Sequence, residues 1–465
     1  MAEGINTYLS RYGCDCRWSL SGAQPTTVRA AVVIPVLAES AHLFRTLESI
    51  AQNDARSLAE TMVICVVNNG LPGIARPRDR KDNEKTLAVL RRLVMEKTHP
   101  GAAGGLSIGY VDASSPGREL PVGGGGVGLA RKIGMDRALE LFDHRSVSPS
   151  ILLCLDADTI VENNWISAVR KNFETRNLTA AAVEFLHQPG ENDEDDDAIC
   201  LYETFIRYYR LGLEYACSPY AWHAIGSTIA VTAGGYAAVR GMSRREAGED
   251  FHFLNKVTKI GAIGLVTNTR VYPSARRSQR VPFGTGRTIS RYASHGGRLG
   301  TAWDPEVFRI LKDWIACLGE QAASDTGTIL ERARHIHVLL PDFLRREGFH
   351  RVWPRLLENA GRKGVTEKQY SGWFDALKTY KMIRYMSVQA FKPLPLYEAL
   401  RRIIAVSGRN VSTLSGFLPP MPDRTSRRLI LEELTCPSLC TATASGRSSR
   451  PPVPGPLDGT PSAGN

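Results

Sequence analysis

The sequence contains no apolar run long enough to cross a membrane. Its one long uncharged stretch, residues 221–239, is diluted by His223, Ser227, Thr228, Thr232 and glycines. It therefore falls short of the about 20 predominantly apolar residues that a spanning helix needs. The opening residues also lack the apolar core of a secretory leader. Both absences predict a cytoplasmic protein, with a peripheral contact at the inner face of the membrane left open. Cysteine is sparse, nine in 465 residues. Cys65 and Cys154 stand inside apolar runs that read as buried strands, which suits a reducing compartment better than a disulfide scaffold. Cys14-x-Cys16 and Cys436-x3-Cys440 lie far apart in ends without pattern, a weak case for zinc. An excess of acids is missing too. The formal net charge of +11 points to anionic partners such as nucleotides, phosphorylated sugars or an anionic membrane surface, and nucleic acid is not among those expected.

What is present is organised around Ile151-Leu152-Leu153-Cys154-Leu155-Asp156-Ala157-Asp158. Five apolar residues in a row read as a strand buried on both faces, and the run breaks into two carboxylates one residue apart. At the carboxyl end of a strand in an open α/β sheet, such acids suit a divalent cation and a phosphorylated ligand. The plainer reading is an Asp that caps a turn or helix. A calcium loop is excluded, because Ile160 and Val161 stand where it needs an oxygen ligand and a glycine.

Residues 1–27 are polar without clear period and read as an arm over the surface. Ala30–Val36 is a β-branched run stopped by Pro35, followed by Leu43, Leu47 and Ile50 at helical spacing. Thr61–Val67 is a second buried strand ending in the turn Asn68-Asn69-Gly70, and 106–111 is a third. The glycine run 123–128 leads into a helix. It satisfies G-x-G-x-x-G formally, but no strand leads directly into it, so a loop that approaches an anion is the better reading. Alternating strand and helix predicts a doubly wound sheet.

Residues 180–185 and 225–231 add short strands. The acidic run Glu191–Asp197 reads as a solvated loop rather than a second metal site. Glu249 and Asp250 open a helix, where the dipole favours acids; the same dipole would keep Asp250 ionised, as a general base requires. Between Arg270 and Arg298 lie seven arginines, a composition suited to clamping a diphosphate, though a basic surface loop without function fits as well. Residues 305–405 are helical in pattern. From Cys436 the composition turns to Ser, Thr, Gly and Pro, and disorder is expected.

Taken together, these segments resemble the family-2 glycosyltransferases over residues 28–300. The resemblance rests on Val32-Val33-Ile34-Pro35 with Glu39, Val66-Val67-Asn68-Asn69-Gly70, Gly128-Leu129-Ala130-Arg131, Leu155-Asp156-Ala157-Asp158, Gly226-Ser227 with Ile229-Ala230-Val231, and Gly248-Glu249-Asp250, in that order. It implies an α/β, GT-A fold, a Rossmann-like doubly wound mixed sheet, with a helical C-terminal extension. The expected domains are an N-terminal arm (1–27), a transferase domain (28–300), a helical region (301–435) and a disordered tail (436–465).

By the same resemblance, Glu39 and Asn68 line the base and ribose of a nucleotide-sugar donor. Asp156 sits near the donor ribose or the metal, Asp158 binds Mg²⁺ or Mn²⁺ through the diphosphate, and Asp250 deprotonates an acceptor hydroxyl. Pro35, Arg131 and Glu249 stand in the matching motifs and join the donor-binding set, with Arg277, Arg280 and Arg287 toward the diphosphate. In-line attack predicts inversion. The absence of a Gln-x-x-Arg-Trp signature after residue 260 speaks against a processive polymerase. A non-catalytic sugar-nucleotide-binding protein, a nicotinamide-dependent oxidoreductase and a nucleotidyltransferase stay open as alternatives. The acceptor (glycan, lipid or small molecule) and the oligomeric state are not specified.

Overall fold

A computed structural model describes residues 2–96, 105–146, 148–245, 248–277, 300–409, 419 and 421–435. In chain order the first half runs α1 (Ala2–Tyr12), β1 (Leu20–Ser21), β2 (Ala30–Val36), α2 (Leu43–Ala51), α3 (Ala55–Ala59), β3 (Thr61–Asn68), α4 (Pro77–Glu96), β4 (Ser107–Ala113), α5 (Val127–Leu139), β5 (Ile151–Cys154), β6 (Ile160–Val161), α6 (Trp165–Arg176), β7 (Ala180–Phe185), α7 (Asp193–Tyr215), β8 (Ile229–Thr232), α8 (Ala233–Ala238), α9 (Glu249–Thr258) and β9 (Ile263–Tyr272). The rest is helical: α10 (Glu306–Glu320), α11 (Thr326–Ile336), α12 (Leu340–Arg346), α13 (Phe349–Ala360), α14 (Glu367–Trp373), α15 (Ala376–Gln389), α16 (Leu396–Ser407) and α17 (Arg424–Leu434). Short strands β10 (Thr301–Ala302) and β11 (Leu394–Pro395) pair within that region. Among the described residues no helix is long and apolar enough to cross a membrane.

The nine strands β1–β9 form one mixed sheet in the order β1-β4-β3-β2-β5-β8-β7-β9-β6. β4, β3, β2 and β5 are parallel, β8 runs against both neighbours, and β7 and β9 are parallel again. The expected α/β architecture, a doubly wound mixed sheet with a helical C-terminal region, is what the chain adopts. Side-chain alternation explains the layers. Val32, Ile34 and Val36 pack with Leu43, Leu47 and Ile50 of α2 and Ile166 of α6 on one face. Ala31 and Val33 pack with Ile133 of α5 on the other. Gly134 lets α5 lie against the sheet, since a Cβ there would stand 2.4 Å from Val33.

Several elements depart from the sequence reading. Pro35 does not end β2: the strand continues to Val36 against β3, and pairing with β5 stops at Val33, before the missing N–H would matter. Residues 2–12 form a helix rather than a stretch without period. Ile5 and Tyr8 are buried, and Tyr8 and Lys132 share Asp136 at 2.7 and 2.6 Å. The acidic run is not a free loop either. Asn192 caps α7 by accepting from the Asp195 N–H at 3.0 Å, and the acids occupy the first turn, where the helix dipole favours them. At 226–228 a 3-10 turn replaces the start of the expected strand. The disorder expected after Cys436 concerns residues outside those described.

The helical region builds its own core on α7. Leu201, Tyr208 and Leu211 pack with Phe308, Leu311 and Trp314 of α10 and with residues of α12, α13, α15 and α16. α7 thus carries one apolar face for the helices and a charged face for the sheet. There Glu184 of β7 meets Arg207 (3.0 Å) and Arg210 (3.2 Å) in full burial. The two guanidiniums hold Glu184 down at about 2 even though burial alone would raise it.

Candidate functional site

β2 and β5 are adjacent and parallel, with β3 and β4 beyond β2 and β8 beyond β5. The connections leaving the carboxyl ends of β2 and β5 therefore diverge, which opens a crevice of the kind where α/β sheets take ligands. Glu39 follows β2 and the Asp156–Asp158 turn follows β5. Backbone bonds fix that turn: Leu155 N–H donates to Val33 O (3.1 Å) and Thr159 N–H to Asp156 O (3.1 Å). Thr46 of α2 donates to Ala157 O (2.9 Å), and Gln188 donates to Asp158 O (2.9 Å). Ala157 and Thr159 are buried while Asp156 and Asp158 are part-exposed, so the two carboxylates are held on the open side.

Each carboxylate is met by an arginine that also binds a second acid. Arg131, at the start of the second turn of α5, donates from Nη1 to Glu249 of α9 and from Nη2 to Asp156. Arg131 and Glu249 are buried, and Asp156 keeps 37% of its side chain exposed. Gly226 makes room for this guanidinium: a Cβ there would stand 2.3 Å from Nη2 of Arg131. Arg276, four residues past β9, donates from Nε to Asp158 Oδ2 (2.8 Å) and from Nη2 to Glu39. It is part-exposed, at 19% of its side chain.

Asp250 stands beside Glu249 in the first turn of α9 and accepts from the Phe251 N–H at 2.7 Å. It is close enough to Arg131 and Asp156 for both charges to act on it. Burial raises its pKa, Arg131 works to lower it, and Asp156 raises it further. Burial likewise pushes Glu249 up to about 7 against the pull of Arg131. For Arg131, burial opposes the charged form, and Asp156 and Glu249 overcome it, so the guanidinium stays protonated. Arg131, Asp156, Glu249 and Asp250 are thus one electrostatic unit assembled from three separate elements.

Other expected site residues have different surroundings. Asn68 is buried and donates to the carbonyls of Val36 and Val66, both at 3.1 Å, tying the ends of β2 and β3 together. Pro35 lies in β2 opposite Val66. Arg277 points away from Asp158, to Asp195 (2.7 Å) and Glu194 (2.8 Å) of α7. In the extended chain after β9 successive side chains alternate, and it is Arg276 that reaches the Asp-x-Asp turn. Arg280 and Arg287 lie outside the described residues. The glycine run serves packing at Gly128, where a Cβ would stand 2.4 Å from Ser243 O.

Asp156 and Asp158 are hard oxygen donors at a strand end, the ligand type that Mg²⁺ and Mn²⁺ take when one or two carboxylates are supplemented by phosphate oxygens. Among the described residues, no group of three or more His, Cys, Asp or Glu side chains forms a cage for a metal ion. The chemistry of the pair therefore fits a cation shared with a phosphorylated ligand, and not one held by protein alone.

No family model and no curated protein matches the chain. Solved structures similar to it include S. aureus TarS 1–349 in complex with UDP-GlcNAc, at 11% identity and a TM-score of 0.37 over 88% of this chain and 90% of that one. Another is the mannosyltransferase PcManGT from Pyrobaculum calidifontis in complex with GDP-Man and Mn²⁺, at 15% identity and a TM-score of 0.34 over 88% and 94%. At these scores the likeness carries no weight of its own, and the function rests on the residues of the site.

Proposed function

We propose that the protein is a glycosyltransferase of GT-A fold that moves a sugar from a nucleoside-diphosphate donor to an acceptor hydroxyl, with inversion and one transfer per encounter. The observation that carries this reading is the Arg131 bridge. It ties Asp156, at the end of β5, to Glu249 in the first turn of α9, and this supports a reading in which the candidate base Asp250 works beside one of the two metal-type acids.

In this reading Asp250 accepts the proton of the acceptor hydroxyl as that oxygen attacks the anomeric carbon on the face opposite the departing diphosphate. Burial raises the pKa of Asp250 overall, while Arg131 and the backbone N–H groups at the start of α9 limit the rise. Asp156 and Asp158 would hold Mg²⁺ or Mn²⁺. When bound, that cation would offset the negative charge developing on the leaving diphosphate. Glu39 and Pro35, at the carboxyl end of β2, would contact the nucleotide.

A panel of nucleotide sugars, headed by UDP-GlcNAc and GDP-mannose and assayed with Mn²⁺ for nucleoside-diphosphate release, tests the proposal. One donor should be turned over. Asp250→Asn should lower turnover by about 10²-fold or more, the usual contribution of a general base, while leaving nucleotide affinity in place. Turnover that survives in Asp250→Asn would remove the base. Failure to bind any nucleotide would remove the donor class.

A further inference from the structure

Arg276 has no place in the chemistry above, and its position calls for one. Its backbone is anchored on both sides. Gln188 N–H donates to Pro273 O at 2.8 Å, Ala275 is buried against Ala198 and Ile199, and Arg277 is tied to Glu194 and Asp195. With its neighbours fixed, Arg276 extends its guanidinium into the crevice and lies between Asp158 and Glu39. These carboxylates come from loops after two different strands, and the cation that joins them is supplied by the chain itself.

We propose that Arg276 is the resident counter-cation of Asp158, that it competes with a divalent metal ion for that carboxylate, and that it passes to the donor diphosphate when metal and donor arrive. The proposal rests on the nucleotide-sugar reading for the identity of the diphosphate, but not for the competition itself. The physical case is one of charge. Asp158 Oδ2 accepts from Arg276 Nε at 2.8 Å, so an ion bound through that oxygen must displace the bond. A divalent ion beside an undisplaced guanidinium would be repelled at close range, where the charges are too near for solvent to screen them fully.

A diphosphate resolves the conflict, because guanidinium pairs phosphate oxygens bidentately and the metal bridges others. Only the side chain has to swing, since the anchored backbone can stay. The linkage is reciprocal: metal alone binds weakly, nucleoside diphosphate strengthens it, and metal strengthens the nucleotide to the same extent.

The test is Mn²⁺ binding to the full-length protein, read from the paramagnetic resonance signal of free Mn²⁺, with and without UDP or GDP. Arg276→Met should bind Mn²⁺ alone about tenfold tighter than wild type, the response to removing a repulsion of about 1.4 kcal/mol. The further gain on adding the nucleoside diphosphate should shrink. Arg276→Lys, which keeps the charge and loses the fork, should fall between the two. Adding Asp158→Asn to Arg276→Met should abolish the gain. Thermal melting of each variant confirms folding.

Equal or weaker Mn²⁺ binding by Arg276→Met would overturn the proposal, as would the absence of Mn²⁺ binding in both proteins. Nucleoside-diphosphate binding without metal would in that case leave the transferase reading standing. Mn²⁺ competition without any nucleotide binding would remove the transferase reading and keep Arg276 as the gatekeeper of a cation site.

Discussion

The two arginine bridges at the carboxyl edge of the sheet have the same form, a buried acid and a part-exposed one, and differ in how deeply the arginine itself is buried. Arg131 joins Asp156 to Glu249 with its guanidinium 3% exposed, boxed in by Gly226 and by its own helix. Arg276 joins Asp158 to Glu39 from an irregular segment, with 19% of its side chain exposed. A buried ion pair is costly to assemble and more costly to break, because removing one partner leaves the other charged in a low dielectric. The second bridge is intermediate: Arg276 and Asp158 each keep 19% of the side chain exposed, while Glu39 is buried, so the pairing is weaker than the first without being a free surface pair. The first bridge is therefore suited to fixing geometry and the second to changing partners. A transfer reaction needs both, an immobile base and a counter-charge that can follow the diphosphate.

The contrast can be broken at its rigid end first. Arg131→Met should destabilise the fold by about 3–5 kcal/mol, since Glu249 loses its partner in full burial. Chemical denaturation of the two proteins measures this, and a change below about 1 kcal/mol would make the bridge no different from a surface pair.

The next effect is on pH dependence. The pKa of Asp250 in the folded protein is raised by burial, with Arg131 acting in the opposite direction. A base must be deprotonated to work, so activity should rise with pH along a limb lying above the ordinary aspartate range. Removing the positive charge of Arg131 disfavours the carboxylate and should carry that limb to still higher pH. A profile of kcat/KM against pH for wild type and Arg131→Met reads it, and a limb that stays or moves down would detach Arg131 from Asp250. The smallest effect is expected at the second bridge. Arg276→Met should cost less stability than Arg131→Met, because Arg276 and Asp158 each keep 19% of the side chain exposed against 3% for Arg131, and an equal loss in chemical denaturation would erase the contrast.

Much of the fold was legible because its signals are periodic. The buried strands around Val63, Val33 and Leu153 show as apolar runs, and the helical spacing of Leu43, Leu47 and Ile50 marks α2. The Asp-x-Asp turn was legible because the apolar run stops abruptly at two acids, although a capping Asp would leave the same local signal. The choice between Arg276 and Arg277 was not. It depends on which way an irregular segment alternates, and that direction is set by Ala275 packing on α7, a contact remote in sequence.

Asn68 has a structural task that the sequence did not announce. A turn amide has donors for a ligand or for its own neighbours, and here the β2 and β3 carbonyls take them. Two missed elements did leave signals. Ile5, Tyr8, Leu9 and Tyr12 stand at helical spacing, and Asn192 before a cluster of acids is a helix start; in both, polar composition outweighed the pattern.

Gly226 carries a consequence for how this site can vary. Every missense change at its codon introduces a Cβ, and the space that atom would need is already filled by Nη2 of Arg131. No neutral intermediate exists at that position, in contrast to Gly4, where a Cβ meets nothing within 4 Å. In a randomised library selected for function, residue 226 should return as glycine alone, or change only in clones that have also given up the arginine.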